Sequence, residues 1–317
     1  MRSTTVFTFL SLVSASLAGT YNRRLRTVGE GFYEDFTFEA IPDPTHGRVN
    51  YVNRETAERF NLTFGGGETF ILRSDHDTPL DPAGPGRSSV RLKSVMQYVN
   101  HVAVFDIRHM PEGCGTWPAV WEVGDNWPHG GEIDILEGVN DKGPNAVTLH
   151  TNEGCMMHRD RQGQRTDSVV VEENCDVAAK GNVGCPTRLG DAKSYGTPFN
   201  ANGGGHYAVE RSPQFIKVWF WPRGDPALPE DAAKGAKVVN TDAWGEPAAF
   251  FPANSCNIDE KFGPQNIIIN LTFCGDWAGS VFNQDGCLGD CIAHVNGNPS
   301  AFQNAFFDFA SISTYLP

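Results

Sequence analysis

Short runs of β-branched and aromatic residues recur along this chain, and Gly, Pro, Asn or Asp residues bound most of them. Because side chains alternate between the two faces of a strand, such runs predict β-strands. Only residues 55–60 and 231–237 are predicted as helices, and both are short. The predicted strands are residues 68–73, 89–95, 102–108, 120–123, 132–136, 146–150, 207–211, 215–221, 267–273 and 306–315.

Many closely spaced strands favour an antiparallel sandwich or jelly roll. The stretches 74–88, 152–206 and 222–262 are irregular, and we interpret them as loops that disulfides hold or that cover a site. The sequence contains neither an internal repeat nor a linker-like shift in composition. We therefore predict an all-β fold in which residues 19–317 form a single domain.

The amino terminus has the three parts of a secretory signal. Arg2 precedes an apolar stretch over residues 6–13, and small residues follow up to Ala18. The apolar stretch is well short of the ~20 residues that a membrane-spanning helix needs. We predict that residues 1–18 are a signal peptide and that the protein is secreted, with no membrane association. The pair Arg23-Arg24 is a candidate for a second cleavage.

Eight cysteines form an even set that suits disulfides in an oxidising compartment, although eight cysteines allow 105 pairings. A zinc site is the weaker alternative, because Cys287-x3-Cys291 has no second close pair. Two glycosylation sequons begin at Asn61 and Asn270. The second sequon lies in an apolar run that predicts a buried strand, which would hide it.

Charge narrows the choice of partner. The 317 residues include 38 acidic and 25 basic side chains, for a formal charge of -13. The longest basic cluster is Arg23-Arg24-Leu25-Arg26, which argues against nucleic acid, and the acidity disfavours other polyanions. Neutral partners remain compatible with this composition.

The sequence Glu132-Ile-Asp134-Ile-Leu-Glu137 carries candidate chemistry. In a strand, Glu132 and Asp134 point to one face, but regular alternation would turn Glu137 into the core, where an unpaired carboxylate is costly. A β-bulge at Ile135-Leu136 would place all three acids on one face. The two Glu Cα atoms would then lie ~13 Å apart, so that their arms could reach the ~5–5.5 Å separation of retaining glycoside hydrolysis. The alternatives are a solvated polar face or a calcium site.

Tryptophans lie on both sides of the acids in sequence. Flat apolar rings with a polar edge suit the faces of sugar rings. We expect Trp121, Trp127 and Trp277 to bind a ligand, because Gly, Asp and Asn residues flank them. Trp117, Trp219 and Trp221 are expected in the core, since a Trp in a strand is usually buried. For His150, the spacing leaves a core role and a cleft role equally open.

The segment Gly131-Glu-Ile-Asp-Ile-Leu-Glu-Gly resembles the E-x-D-x-x-E signature of family 16 glycoside hydrolases, in its bulged laminarinase-type form. Further segments resemble the fungal secreted endo-1,3(4)-β-glucanases of that family: GTWPAVWEVGDNWPHGGEIDILEGVN, VNYV (49–52), GRSSVRL (86–92), TLHTNEGC (148–155) and NLTFCGDWAGSVF (270–282). The resemblance spans roughly residues 30 to 315.

This resemblance implies a β-jelly-roll with a glucan cleft, and retaining hydrolysis. It implies Glu132 as the nucleophile, Glu137 as the general acid/base and Asp134 as the acid that assists them. The residues implied to line glucose subsites are Trp121, Trp127, His150 and Trp277, with Asn50 and Arg91 as weaker candidates.

The leading hypothesis is a secreted endo-β-glucanase that cleaves internal β-1,3 bonds, or β-1,4 bonds in mixed-linkage or branched glucans. It needs no cofactor or metal, binds a neutral β-glucan and acts as a monomer. One rival is a cell-wall transglycosylase, which shares the covalent intermediate but which the resemblance associates with the unbulged E-x-D-x-E strand. The other is a non-catalytic glucan-binding lectin, which would be expected to lack one of the acids.

Overall fold

The computed structural model describes residues 19–317, so the predicted signal peptide lies outside the described residues. Most of the regular structure is extended. The strands are β1 (Thr20–Thr27), β2 (Phe36–Phe38), β3 (Val49–Tyr51), β4 (Thr63–Gly66), β5 (Thr69–Arg73), β6 (Arg87–Ser89), β7 (Arg91–Tyr98), β8 (His101–His109), β9 (Thr116–Gly124), β10 (Glu132–Glu137), β11 (Ala146–His150), β12 (Val169–Val170), β13 (Thr187–Arg188), β14 (Gly205–Ser212), β15 (Phe215–Pro222), β16 (Val238–Asn240), β17 (Ala249–Pro252), β18 (Gln265–Phe273) and β19 (Phe306–Leu316).

The helices of the described residues are all short. They are α1 (Phe32–Asp35), α2 (Arg54–Arg59), α3 (Gly196–Ala201), α4 (Glu230–Ala233), α5 (Ile258–Lys261) and α6 (Cys291–Gly297). The chain also forms a π-helical turn at Gly275–Gly279. None of the helices among residues 19–317 is long and apolar enough to cross a membrane.

The ten predicted strands are all confirmed, with ends that move by at most four residues. The helix predicted at 55–60 is α2, whereas only the start of 231–237 is helical, in α4. The prediction that 152–206 and 222–262 are loops was wrong in part, because they contain β12, β13, α3, α4, β16, β17 and α5. These elements have two to six residues, too few to show a period in the sequence.

Two large antiparallel sheets form the fold, which confirms the sandwich architecture. The first, the cleft sheet, has the strand order β12-β13-β11-β10-β9-β18-β7-β2. The second, the back sheet, has the order β16-β1-β19-β8-β14-β15-β17, with β5 pairing β19 and β4 pairing β5. Only β3 and β6, which form a small separate ladder, pair in parallel among the named strands.

The main hydrophobic core lies between the two sheets. Alternate residues of β10, including Ile133, pack in this core with residues such as Phe105 and Phe309 of the back sheet. A second cluster lies on the other side of the back sheet, where Trp219 and Trp221 are 2% and 4% exposed. The prediction that these two tryptophans are core residues is therefore confirmed.

Four disulfides pair all eight cysteines, in agreement with the prediction of a disulfide-bonded chain. The pairs are Cys114–Cys287, Cys155–Cys256, Cys175–Cys185 and Cys274–Cys291. The second and third hold the long segment after β11, and the first and fourth hold the segment that follows β18. Both segments border the face of the cleft sheet that points away from the core.

Candidate active site

A β-bulge in β10 brings three acids to one face of the cleft sheet. Against β9, Asp134 pairs with Trp121 and Leu136 pairs with Val120, so Ile135 is the extra residue. The regular ladder resumes after it, with Glu137 opposite Ala119. The bulge predicted from the sequence is confirmed at Ile135-Leu136, and Glu132, Asp134 and Glu137 share the cleft face.

Glycines flank this strand because neighbouring side chains leave no space for a Cβ atom. At Gly138, a Cβ would lie 2.6 Å from the ring of Tyr195. Gly131 has φ +70°, and a Cβ there would lie 2.5 Å from the Phe262 ring. The two ends of the acid strand are thus fixed by aromatic rings that lie directly against its backbone.

His150 stands beside the acids on the neighbouring strand β11, directly opposite Glu132. Its Nε2 atom lies 3.3 Å from Asp134 Oδ2 and 3.9 Å from Glu132 Oε1. The residue is 7% exposed. Since the spacing alone left a core role open, it is the strand pairing that places this imidazole in the cleft.

Burial raises the pKa of all three carboxyls to about 8, because their charged forms lose hydration. The negative charge of Asp134 raises the pKa of Glu132 and Glu137 further. The electrostatic interaction with His150 and a hydrogen bond with Trp127 lower the pKa of Glu132. The hydrogen bond from Trp117 lowers that of Glu137. The cluster therefore retains protons at neutral pH.

Trp117 corrects the sequence prediction, which placed it in the core. It is only half-buried, and its indole Nε1–H donates to Glu137 Oε1 at 2.7 Å. Trp117 and Trp121 are four residues apart on β9, so both side chains point to the cleft face. The prediction was wrong because it was based on the usual burial of tryptophan in strands and not on the alternation of side chains along β9.

Trp121 belongs to the floor of the cleft. Its Nε1–H donates to Asn270 Oδ1 at 2.8 Å, and the Arg91 guanidinium lies 5.0 Å from its ring centroid. Arg91 in turn donates to Glu39 at 2.8 Å. The Asn270 amide also donates to the Tyr51 hydroxyl at 3.1 Å, so this tryptophan is fixed on two sides.

The two most exposed tryptophans are associated with different acids. Trp127, 44% exposed, contacts Glu132. Trp277, 37% exposed, packs edge-on against Trp117, with ring centroids 5.6 Å apart, and Trp117 holds Glu137. The cleft therefore has one exposed indole beside Glu132 and a second that is linked to Glu137 through Trp117.

The segment 43–48 forms a wall beside Trp277. The Thr272 hydroxyl of β18 donates to Asp43 Oδ2 at 2.6 Å. The Asp276 backbone N–H donates to Thr45 O at 3.0 Å, and His46 Nδ1 lies 2.9 Å from the Asp276 carboxylate. This wall is thus joined both to the floor of the cleft and to the turn that carries Trp277.

Asn50 is the one predicted site residue that the structure does not join to the others. It is half-buried on β3, and among the described residues no hydrogen bond links it to the acids. Its neighbour Tyr51, which the sequence did not single out, makes the contact with Asn270 instead. Nothing in the residue pattern distinguished the two, because β3 meets β18 only through the tertiary fold.

Glu132, Asp134 and His150 offer three possible metal ligands within 4.8 Å of one another. Calcium, the alternative that the three acids raised, takes six to eight oxygen ligands. Two carboxylates and an imidazole supply too few oxygens, and Glu137 is bound by an indole N–H instead. The chemistry of this donor set fits proton transfer between carboxyls better than calcium binding.

Comparison with known proteins places these residues in context. A family model described as the XgeA-like, catalytic GH16 domain matches residues 36–315. A probable endo-1,3(4)-β-glucanase of Aspergillus clavatus is 40% identical and covers 96% of this chain and 50% of its own length. The chain thus spans about half the length of several of the curated relatives it matches.

Two solved structures are similar over nearly the whole chain. Laminarinase 16A from Phanerochaete chrysosporium, solved with 6-O-glucosyl-laminaritriose in its donor and acceptor sites, is 56% identical with a TM-score of 0.91. An elongating family 16 β-1,3-glucosyltransferase is 37% identical with a TM-score of 0.86. Each match covers 93% of this chain and 99% of the other.

Proposed function

The chain belongs to glycoside hydrolase family 16, and on that basis we propose that it is an endo-β-glucanase that hydrolyses internal β-1,3 bonds, or β-1,4 bonds in mixed-linkage or branched glucans, with retention. The observation that carries the proposal is the bulged strand, which gives Glu132, Asp134 and Glu137 one common face. Two acids with separate roles are the requirement of this chemistry.

We assign the roles from the surroundings of each carboxyl. The Asp134 side chain is 3% exposed against 16% for Glu132, so Asp134 is the group that keeps a proton. It lies in hydrogen-bonding contact with Glu132, so one proton is shared between the two carboxyls. Glu132, stabilised as the carboxylate, attacks the anomeric carbon and forms the glycosyl-enzyme.

Glu137 serves as the general acid and then as the base. Burial raises its pKa, which keeps it protonated until it donates to the leaving oxygen. It then takes a proton from the water that hydrolyses the intermediate. His150 lies beside Glu132 and Asp134, where it supports the negative charge of the nucleophile.

The tryptophans divide between the two sides of the scissile bond. Trp277 stands on the side of Glu137, where the leaving sugar departs, and Trp127 on the side of Glu132, where the glycosyl group stays. Trp121 and Arg91 form the floor between them, with Asn50 as a peripheral contact. The ligand is a neutral β-glucan, and no cofactor takes part.

Secretion and a monomeric state complete the proposal. Four disulfides among the described residues fit an oxidising compartment. The residue pattern of the first 18 positions fits a cleaved signal peptide. Mass analysis of secreted protein that begins at Gly19 would support secretion and signal cleavage, while a mature protein that retains Arg2 would contradict them.

The proposal is tested by the reducing sugar released from laminarin, lichenan and cellulose, side by side. We expect release from laminarin or lichenan, and a loss of about 10³-fold or more in the Glu132→Ala variant, because no covalent intermediate forms without the nucleophile. Equal activity in the two proteins would reject the assignment.

Glucan transfer is a second candidate, favoured by the likeness to an elongating β-1,3-glucosyltransferase. A sugar bound against Trp277 is placed to intercept the glycosyl-enzyme in place of water. Product analysis separates the two activities, because transfer yields chains longer than the donor whereas hydrolysis yields only shorter ones.

A further inference from the structure

Asn145 lies beside the bulge and is completely buried, immediately before β11. Strands β10 and β11 pair from Glu132 opposite His150 as far as Asp134 opposite Thr148. If that register continued, Asn145 would stand opposite Glu137. The pairing instead ends where the bulge begins, so the backbone from Ile135 onward needs other partners on that side.

The Asn145 side chain supplies those partners. Its Oδ1 accepts from the Glu137 backbone N–H at 2.9 Å, and its Nδ2 donates to the Ile135 carbonyl at 2.8 Å. A side-chain amide carries one acceptor and one donor group in a plane, as a peptide group does. It therefore takes the place that the next residues of a regular β11 ladder would occupy.

The backbone of Asn145 is itself fixed. Its N–H donates to the Ser194 hydroxyl at 3.0 Å, and its carbonyl accepts from the Leu189 N–H at 2.9 Å. The polar groups of this buried residue are thus all paired, which leaves its amide little freedom to turn away from the bulge.

We infer that Asn145 is the positioning residue that holds Glu137 on the cleft face by bonding both backbone groups that the bulge frees. The inference rests on the proposed function, since positioning Glu137 matters only if it is the general acid/base. Without the amide, the strand regains its hydrogen bonds by extending a regular ladder. A regular ladder would turn Glu137 toward the core.

Substrates with different leaving groups test this role. The kcat/KM of wild type and Asn145→Ala is measured on laminarin and on 2,4-dinitrophenyl β-laminaribioside, whose leaving group needs no proton. Because a general acid contributes about 10²–10⁴-fold, we expect a loss of about 100-fold or more on laminarin but less than about fivefold on the aryl donor. Glu137→Gln should give the same selective pattern.

A pH profile adds a second readout. In the variant, Glu137 turns toward the core and leaves the Trp117 N–H that favours its ionised form, so its pKa rises further. The high-pH limb of kcat/KM, which reports loss of the acid proton, is therefore expected to move to higher pH. Asn145→Asp is measured alongside, because it keeps the shape and the acceptor for Glu137 but cannot donate to Ile135; we expect the same selective loss, smaller in size.

Asn266 provides the matched control. It is also a buried asparagine of the cleft sheet, and its Nδ2 donates to the Ser94 carbonyl at 2.7 Å beside another register shift, between β18 and β7. Asn266→Ala should change kcat/KM on laminarin and on the aryl glycoside by the same factor.

The positioning role would be overturned if the Asn145 variants lost kcat/KM equally on laminarin and on the aryl glycoside, or if they lost none. Failure of the proposed function gives a different result, because wild-type protein would then release sugar from neither laminarin nor the aryl glycoside. That result would also overturn the role of Asn145.

Discussion

At the scale of single residues, the site depends on hydrogen bonds that residue type alone did not indicate. Trp117 is of a residue type that is usually buried in strands, yet its indole N–H donates to the carboxyl of Glu137. The only signal available in the sequence was its spacing of four from Trp121 in one strand. Alternation was the better guide here, because it follows from backbone geometry whereas burial preferences are averages.

Removing this hydrogen bond should change the acid rather than the fold. Trp117→Phe keeps a ring against Trp277 but deletes the N–H that favours ionised Glu137, so the pKa of Glu137 should rise. We expect the high-pH limb of kcat/KM to move to higher pH, with kcat lowered by about tenfold, in line with ~1.5–3 kcal/mol for a bond to a charged group. Kinetics on laminarin across pH measure both effects.

Trp219→Phe is the control, because it loses a hydrogen bond to the Gly245 carbonyl in the second hydrophobic cluster, on the far side of the back sheet. It should leave the pH profile in place. A Trp117→Phe profile identical to that of wild type would contradict the proposed link to Glu137.

At the scale of elements, the two glycosylation sequons differ in exposure, because one follows the end of a helix and the other lies in the middle of a strand. Asn61 follows α2 with φ +53° and is exposed, while the Leu62 N–H donates to the Ala57 carbonyl at 2.8 Å, as in a Schellman cap. Asn270 is 6% exposed within β18 and bonds Trp121. The expectation that its strand is buried is confirmed.

Given secretion, we expect one N-linked glycan, at Asn61. Intact mass before and after enzymatic deglycosylation should differ for wild type but not for Asn61→Gly. Glycine is the suitable replacement, because it adopts the positive φ of the cap without strain and keeps the helix end unchanged. A mass change that persists in Asn61→Gly would place a glycan elsewhere and contradict the prediction.

At the scale of the whole molecule, the cleft reduces the stability of the fold. Two sheets bury a continuous core, yet the same architecture excludes water from three adjacent carboxyls and raises the pKa of each to about 8. The folded protein therefore binds more protons than the unfolded chain between about pH 4 and pH 8. The stability from these groups is complete below about pH 4 and is lost as the pH rises.

Glu132→Gln removes one of these titrating groups. Its Tm should exceed that of wild type by about 2–4 °C at pH 8, where the buried charges oppose folding, and the difference should vanish near pH 4. Thermal unfolding at both pH values measures this. Glu58→Gln, in an exposed pair with Arg54, is the control with no such trend. An equal Tm difference at both pH values would refute the argument.

The sequence by itself determined the fold class, the ten strands predicted from runs of β-branched and aromatic residues, and the bulge in the strand that carries the acids. These depend on local alternation and on the cost of burying a lone carboxylate, and both act within one segment. Tertiary structure alone decided that His150 faces Asp134, that Tyr51 rather than Asn50 reaches Asn270, and that Asn145 holds the bulge. Those contacts join segments whose neighbourhood is set by sheet order, which no local pattern encodes.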